Sequence, residues 1–197
     1  MVVKHKFKRT KIFLALVFCT FIVAGGCAKT TSGYQKVIVN KPNLKIAFEY
    51  PAAWQDPAGS LKDTSSNVLV FLVHYPTAVE GADADITFQI LASPASTAIP
   101  NAKASLDSLV RSFAELGPNF KLNERSPAAI AGVQGETVVY SALFAAQSPL
   151  GAVPSICRDI YFDYQGQVWV IALNAHQDVS DLARTDLDHV VQSFKLN

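Results

Sequence analysis

The chain has 197 residues, half of them hydrophobic, with 17 basic and 16 acidic side chains and a net charge of +1. That balance is uneven, because Lys4, Lys6, Lys8, Arg9 and Lys11 precede the first acid and residues 1–26 contain no acid at all. The other 171 residues carry 12 basic and 16 acidic groups, a charge of −4 with no basic stripe, which argues against nucleic acid as a partner.

The basic start is followed by an apolar run from Ile12 to Val23. Twelve helical residues span roughly 18 Å, well short of the ~30 Å hydrocarbon core, so a permanent membrane span is not expected. A basic segment, a short apolar centre and small residues after it describe a secretory signal. Ala24, Gly25, Gly26 and Cys27 then resemble the lipobox of bacterial lipoproteins, in which the cysteine thiol is diacylated and the chain is cut before it. Ala24 departs from that pattern, where leucine is usual. The resemblance implies a signal peptide over residues 1–26 and a membrane anchor through lipid on Cys27. It also implies export to the cell envelope, either the outer face of the cytoplasmic membrane or an outer membrane where the organism has one. Ala28 is not the aspartate associated with inner-membrane retention. Residues 27–41 read as the lipidated cysteine and a tether, polar and non-periodic over 28–35, and residues 42–197 as one domain. With Cys19 in the signal and Cys27 lipidated, Cys157 has no partner for a disulfide, so an ordinary core must hold the domain. A lone cysteine in an apolar strand reads as packing.

In chain order, Leu44, Ile46, Phe48 and Tyr50 alternate with polar or small residues and predict a strand ended by Pro51. Val68–Val73 is a continuous apolar run, expected of a strand covered on both faces. Residues 75–85, with Pro76 and Gly81, read as a loop before a strand at Ile86, Phe88 and Ile90. From Ala104 to Leu116 the apolar positions recur every three or four residues, which predicts an amphipathic helix stopped by Gly117 and Pro118. Strands are then expected at 120–124, 133–144, 156–164 and 168–173, the last two joined by a tight Gln165-Gly166 turn. Leu182, Ala183, Leu187, Val190, Val191 and Phe194 form a second helical stripe, for which Asp178 is the expected N-cap. Strands, helix, strands and helix in that order give an α+β class, read as an α/β/α sandwich around a central, mainly antiparallel sheet.

Tyr50-Pro51-Ala52-Ala53-Trp54 resembles the Tyr/Phe-Pro-x-x-Trp signature near the start of PsbP-like domains. Further similarities follow in order: a buried strand at Val68–Val73, a helix containing Ser-Leu-Asp-Ser-Leu (Ser105 to Leu109), an Ala131-Gly132 step, a hairpin, and a last helix closing on Ser193-Phe194-Lys195. That superfamily includes the photosystem II extrinsic protein, a Ran-binding release factor and bacterial lipoproteins of the Lpp-LpqN group. The resemblance implies a fold that docks on other molecules, and it transfers no functional residue, because function resides in sites grafted on a fold.

Catalytic motifs are scarce: no Gly-x-Ser-x-Gly, His-Glu-x-x-His or phosphate-binding glycine loop occurs. His74, His176 and His189 are scattered, and neither His74 nor His189 has a carboxylate neighbour evident in sequence. Glu80, Asp83 and Asp85 could gather calcium but lack the spacing of a calcium loop, so a solvated loop is expected. Asp159 and Asp163 alternate with apolar residues beside Cys157 and Tyr161, and read as a solvated strand face, about 13 Å apart. Trp54 reads as core folded back by the Pro51 turn. With Asp159 and Asp163 it is the candidate contact for a ligand or partner. The expected function is a non-enzymatic envelope lipoprotein that docks a protein partner and carries no cofactor, and no metal-ligating residues are assigned. The alternative is a carrier of a small molecule or lipid, with a pocket beside Trp54 or under the 145–154 loop.

Overall fold

Residues 33–41, 44–61, 68–75, 84–117, 119–144 and 153–196 are described by the computed structural model of the chain. They lie in one unit, Thr31–Asn197. The signal, Cys27, Glu80, Asp83 and most of the 145–154 loop lie outside the described residues.

Among the described residues nine strands and two α-helices follow in the order β1 (Tyr34–Lys41), β2 (Leu44–Pro51), β3 (Val68–His74), β4 (Ile86–Pro94), α1 (Ala102–Leu116), β5 (Phe120–Ile130), β6 (Val133–Phe144), β7 (Val153–Tyr164), β8 (Gln167–His176), α2 (Ser180–Ser193) and β9 (Lys195–Leu196). They form two antiparallel sheets, a three-stranded one ordered β1-β2-β9 and a six-stranded one ordered β3-β4-β8-β7-β6-β5. The class is α+β with a high sheet content. The antiparallel pairing expected from sequence is present, with a three-stranded sheet beside the six-stranded one.

The tether expectation fails over its second half. Residues 34–41 are β1, paired with β2 along their whole length from Tyr34↔Pro51 to Lys41↔Leu44. Val37, Ile38 and Val39 supply the β-branched run that favours this, and Val39 is buried. Other strands, β4, β5, β7 and β8 among them, also run longer than their apolar runs predict. β5 extends to Ile130 through exposed, polar residues because its partner β6 supplies the hydrogen bonds. It is an edge strand, which is why it tolerates Pro127. The hairpins at Ala131-Gly132 and Gln165-Gly166 each place two successive residues at positive φ, the requirement of a two-residue turn matched to strand twist. Gly135 has a different reason to be glycine: a Cβ there would collide with the Tyr161 carbonyl of β7.

Alternation divides the six-stranded sheet into two faces. Ile160 and Phe162 of β7 and Trp169, Ile171 and Leu173 of β8 enter the main core, with Phe48 of β2 and Ala183, Leu187 and Val190 of α2. Cys157 and Tyr161 of β7, with Val138 and Tyr140 of β6, join a second core against Leu106 and Phe113 of α1. Burying each large aromatic ring removes ~150–250 Å² from water. At ~25 cal/mol per Å² the burial of Phe48, Phe88 and Trp169 is a large contribution to stability.

Helix α1 begins where Asn101 accepts the Ala104 N–H at 2.8 Å, and it ends at Gly117 with φ 80°. The N-cap expected at Asp178 is not formed: a 3-10 turn occupies Gln177–Val179, and α2 starts at Ser180 with Val179 in the cap position.

Candidate functional site

Three places gather polar chemistry. The first is a cavity of ≈ 250 Å³ beside Trp54. Pro51 closes β2, and the Trp54 N–H donates back to the Pro51 carbonyl at 2.9 Å. Gln55 then bridges Val73 of β3, which fixes the indole against Phe88 with ring centroids 5.3 Å apart. Trp54 is 4% exposed, so it is core as expected, and it also lines the cavity. Tyr34, Ile86 and Leu182 add apolar wall, and His74 and Asp186 add polar groups.

Asp186 is only 8% exposed, and its Oδ1 accepts the Tyr34 hydroxyl at 2.9 Å. Burial raises its carboxyl above the ordinary range, while the tyrosine hydrogen bond and the nearby His74 and His189 pull it back. Burial and the same carboxylate push the Tyr34 hydroxyl up to about 12. His74 Nδ1 lies 2.7 Å from Asp85 Oδ1, and His189 Nε2 lies 2.9 Å from Glu49 Oε2. The His189 ring also stacks on Tyr34, with centroids 3.6 Å apart. Both histidines therefore have carboxylate partners that the sequence reading missed. The partners sit 11 and 140 residues away, across strand ends and from helix to sheet. Asp85 is a buried partner of His74 rather than part of a solvated loop.

The second place is a groove of ≈ 550 Å³ along α2. Val139, Ile156 and Leu173 lie along its floor, while Arg158, Arg184 and Asp188 contribute charge of both signs. Arg158 Nη1 meets Asp188 Oδ1 at 2.7 Å, and Arg158 Nε is buried with no partner among the described residues. Neither arginine was singled out by sequence. Arg158 sits in the predicted strand between Cys157, read as packing, and Asp159, and its face shows only once the neighbouring strands are in place.

The third place lies under α1 and corrects the reading of Asp159. Far from solvated, it is 6% exposed, covered by α1, with the Tyr140 hydroxyl donating to Oδ2 at 3.3 Å. Burial pushes its carboxyl up to about 7. The Cys157 thiol is pushed up to about 12 by burial and by Asp159, and the Tyr140 and Tyr161 hydroxyls are raised for the same two reasons. Asp163 has a separate task. It is exposed, and its carboxylate accepts the Ala102 N–H at 2.8 Å, satisfying an orphan donor at the start of α1. The two carboxylates therefore do not form one site. Among the described residues no group of three or more His, Cys, Asp or Glu side chains gathers as a metal site. No helix among them is long and apolar enough to cross a membrane.

No family model and no curated protein sequence matches the chain. Solved structures do. LpqN of Mycobacterium tuberculosis, described as involved in cell envelope biogenesis, superposes with a TM-score of 0.52 at 15% identity, over 84% of this chain and 92% of LpqN. The Ran-binding protein Mog1p of Saccharomyces cerevisiae superposes with a TM-score of 0.51 at 12% identity, over 83% of this chain and 95% of Mog1p. The fold is PsbP-like. Cyanobacterial PsbP (CyanoP) of Synechocystis matches more loosely, with a TM-score of 0.48 at 16% identity, over 77% of this chain and 86% of CyanoP. At these identities the PsbP-like likeness is one of fold, and the chemistry must be argued from the residues.

Proposed function

We propose that the chain is an exported, non-enzymatic accessory protein of the cell envelope, anchored through lipid on Cys27, whose PsbP-like domain docks a partner protein along the α2 groove. In this reading α1 and α2 are the outer layers of an α/β/α sandwich. The observation that carries the docking role is the groove itself, where α2 leaves apolar sheet uncovered between charges of both signs. An apolar floor inside a polar rim is the build of a protein interface, in which the floor supplies affinity and the rim selects the partner. LpqN's connection to the envelope and Mog1p's binding of Ran support a docking use of this fold. The basic, apolar and small-residue order before Cys27 supports export and the lipid anchor.

A photo-activated cross-linking residue placed at Thr185 in the groove, in intact cells, tests this reading. The controls are the same residue at Lys103 on α1 and the Thr185 variant combined with Cys27→Ser. One protein captured in high yield from Thr185, not from Lys103, and lost with Cys27→Ser, is expected. Equal capture from both faces, or none from either, rejects the groove as a docking surface.

A small-molecule carrier is the second reading, favoured by the cavity beside Trp54. At ≈ 250 Å³ that cavity suits a small ligand better than a lipid.

A further inference from the structure

The cavity beside Trp54 is built from five separate elements: the start of β1, the turn after β2, the end of β3, the start of β4 and the exposed side of α2. Its walls are apolar or aromatic, and its polar groups are the Asp186 carboxylate, the Tyr34 hydroxyl and the His74 imidazole. Asp186 supplies a carboxylate that is nine-tenths buried, and no lysine, arginine or histidine among the described residues lies within ion-pair distance of it. The one hydroxyl donor at hand, Tyr34, is already directed at Oδ1. His74 has its Nδ1 on Asp85, and an imidazole whose Nδ1–H is held by a carboxylate presents Nε2 as an acceptor when neutral. The lining thus holds a buried carboxylate and, among the described residues, no lysine or arginine.

We infer that this cavity is a binding site for a protonated amine carried on a short apolar stem. A buried carboxylate met by a single hydroxyl and by no closely paired cation is costly, and an ammonium group supplies a direct charge partner and further hydrogen-bond donors. The stem would lie against Trp54, Ile86 and Leu182, and the Tyr34 and Trp54 rings favour a cation beside them. A carboxylate or phosphate ligand is disfavoured, because it would meet Asp186 with no lysine or arginine to offset the repulsion. Leu182, 57% exposed, marks the mouth.

The titratable groups that bear on the site are Tyr34 on β1, His74 on β3 with Asp85 behind it, and His189 on α2 with Glu49 behind it. The amine could belong to a free small molecule or to a lysine side chain of a protein.

Calorimetric titration of the full lipidated chain, purified from membranes in neutral detergent, tests the site. The probes are n-butylammonium, n-butanol and n-butyrate, with an N-acetyl-lysine amide as a second amine. Saturable binding of one butylammonium per chain is expected, with butanol and butyrate at least tenfold weaker. Asp186→Asn should lower butylammonium binding at least tenfold while keeping a cooperative thermal transition. Leu182→Trp, a change at the exposed mouth that leaves the core intact, should also weaken it. Tighter binding of the lysine amide than of butylammonium identifies a protein lysine as the natural source, and the reverse order identifies a free amine. Equal binding of butanol and butylammonium, unchanged binding by a folded Asp186→Asn, or no saturable binding of any probe overturns the proposal.

Discussion

Strand β7 presents two chemistries from alternate residues. Toward α1 it sends Cys157, Asp159 and Tyr161, and toward the main core and α2 it sends Arg158, Ile160 and Phe162. The α1 face is sealed, and it seals an acid and a thiol with no cation paired to them among the described residues. The α2 face is packed over Phe162 and left open over Arg158, whose charge is met by Asp188. An acid closed under a helix makes stability depend on pH, whereas a paired charge at an open margin contributes little and is free to serve a partner. The same sheet therefore carries a stability constraint on one side and an available surface on the other.

The largest test of this contrast compares two adjacent residues. Phe162 is fully buried, stacked on Trp169 at 5.6 Å and edge-on to Phe194, so Phe162→Ala should cost ~3–5 kcal/mol. Tyr161→Phe, one residue earlier on the opposite face, keeps the ring and should change stability by less than ~1 kcal/mol. Chemical denaturation of both variants measures this, and comparable losses would mean that the two faces are not distinct.

Asp159 sharpens the comparison through pH. In the unfolded chain its carboxyl titrates near ~3.9, and in the folded protein burial holds it at about 7. Below about pH 4 both states are protonated and the group is neutral to stability. As pH rises toward 7 the unfolded chain releases this proton and the folded one keeps it, so stability falls. Above about 7 the loss is complete and levels off, at on the order of 4 kcal/mol at most. Asp159→Asn keeps an acceptor for Tyr140 and removes the charge. The difference in stability between parent and variant should therefore grow from pH 4 to 7 and favour the variant at pH 8. A constant difference across that range would mean that Asp159 is not sealed.

Much of the fold was legible because periodicity carries it. The apolar runs at Val68–Val73 and Val133–Phe144, the three-and-four spacing of α1 and the Gln165-Gly166 turn all recur in the structure. What failed was information that lies between elements. The alternation of β7 put Asp159 and Asp163 on one face, but it could not say that α1 covers the first and is capped by the second. Polar residues in β5 conceal a strand whose hydrogen bonds come from β6. The Val37-Ile38-Val39 run was a local signal for β1, outweighed by the polar residues before it. Trp54 was legible as both core and cavity wall. Its neighbours Asp186, Tyr34 and His74 were not, since their partnerships span 11 to 152 residues.

The thiol of Cys157 gives a smaller test of the sealed face. It is buried, and its ionisation is pushed up to about 12, so a native sample at pH 8 should resist alkylation that proceeds freely once the chain is unfolded. Rapid modification of the native protein would show that α1 opens readily.

The smallest expected effect on stability belongs to Arg158. Its guanidinium is partly exposed, as is its partner Asp188, and a pair of this kind contributes ~0–1 kcal/mol. Its aliphatic stem lies along the groove, so Arg158→Met keeps most of the packing and removes only the charge. The buried Nε, which has no partner among the described residues, is removed with it and offsets part of the lost ion pair. Denaturation should therefore find the variant within ~1 kcal/mol of the parent, while capture of a partner through Thr185 falls. Loss of several kcal/mol would make Arg158 a structural element of the α2 face and erase the contrast with Asp159. Unchanged stability with unchanged capture would leave the contrast in place and move the docking surface away from this groove.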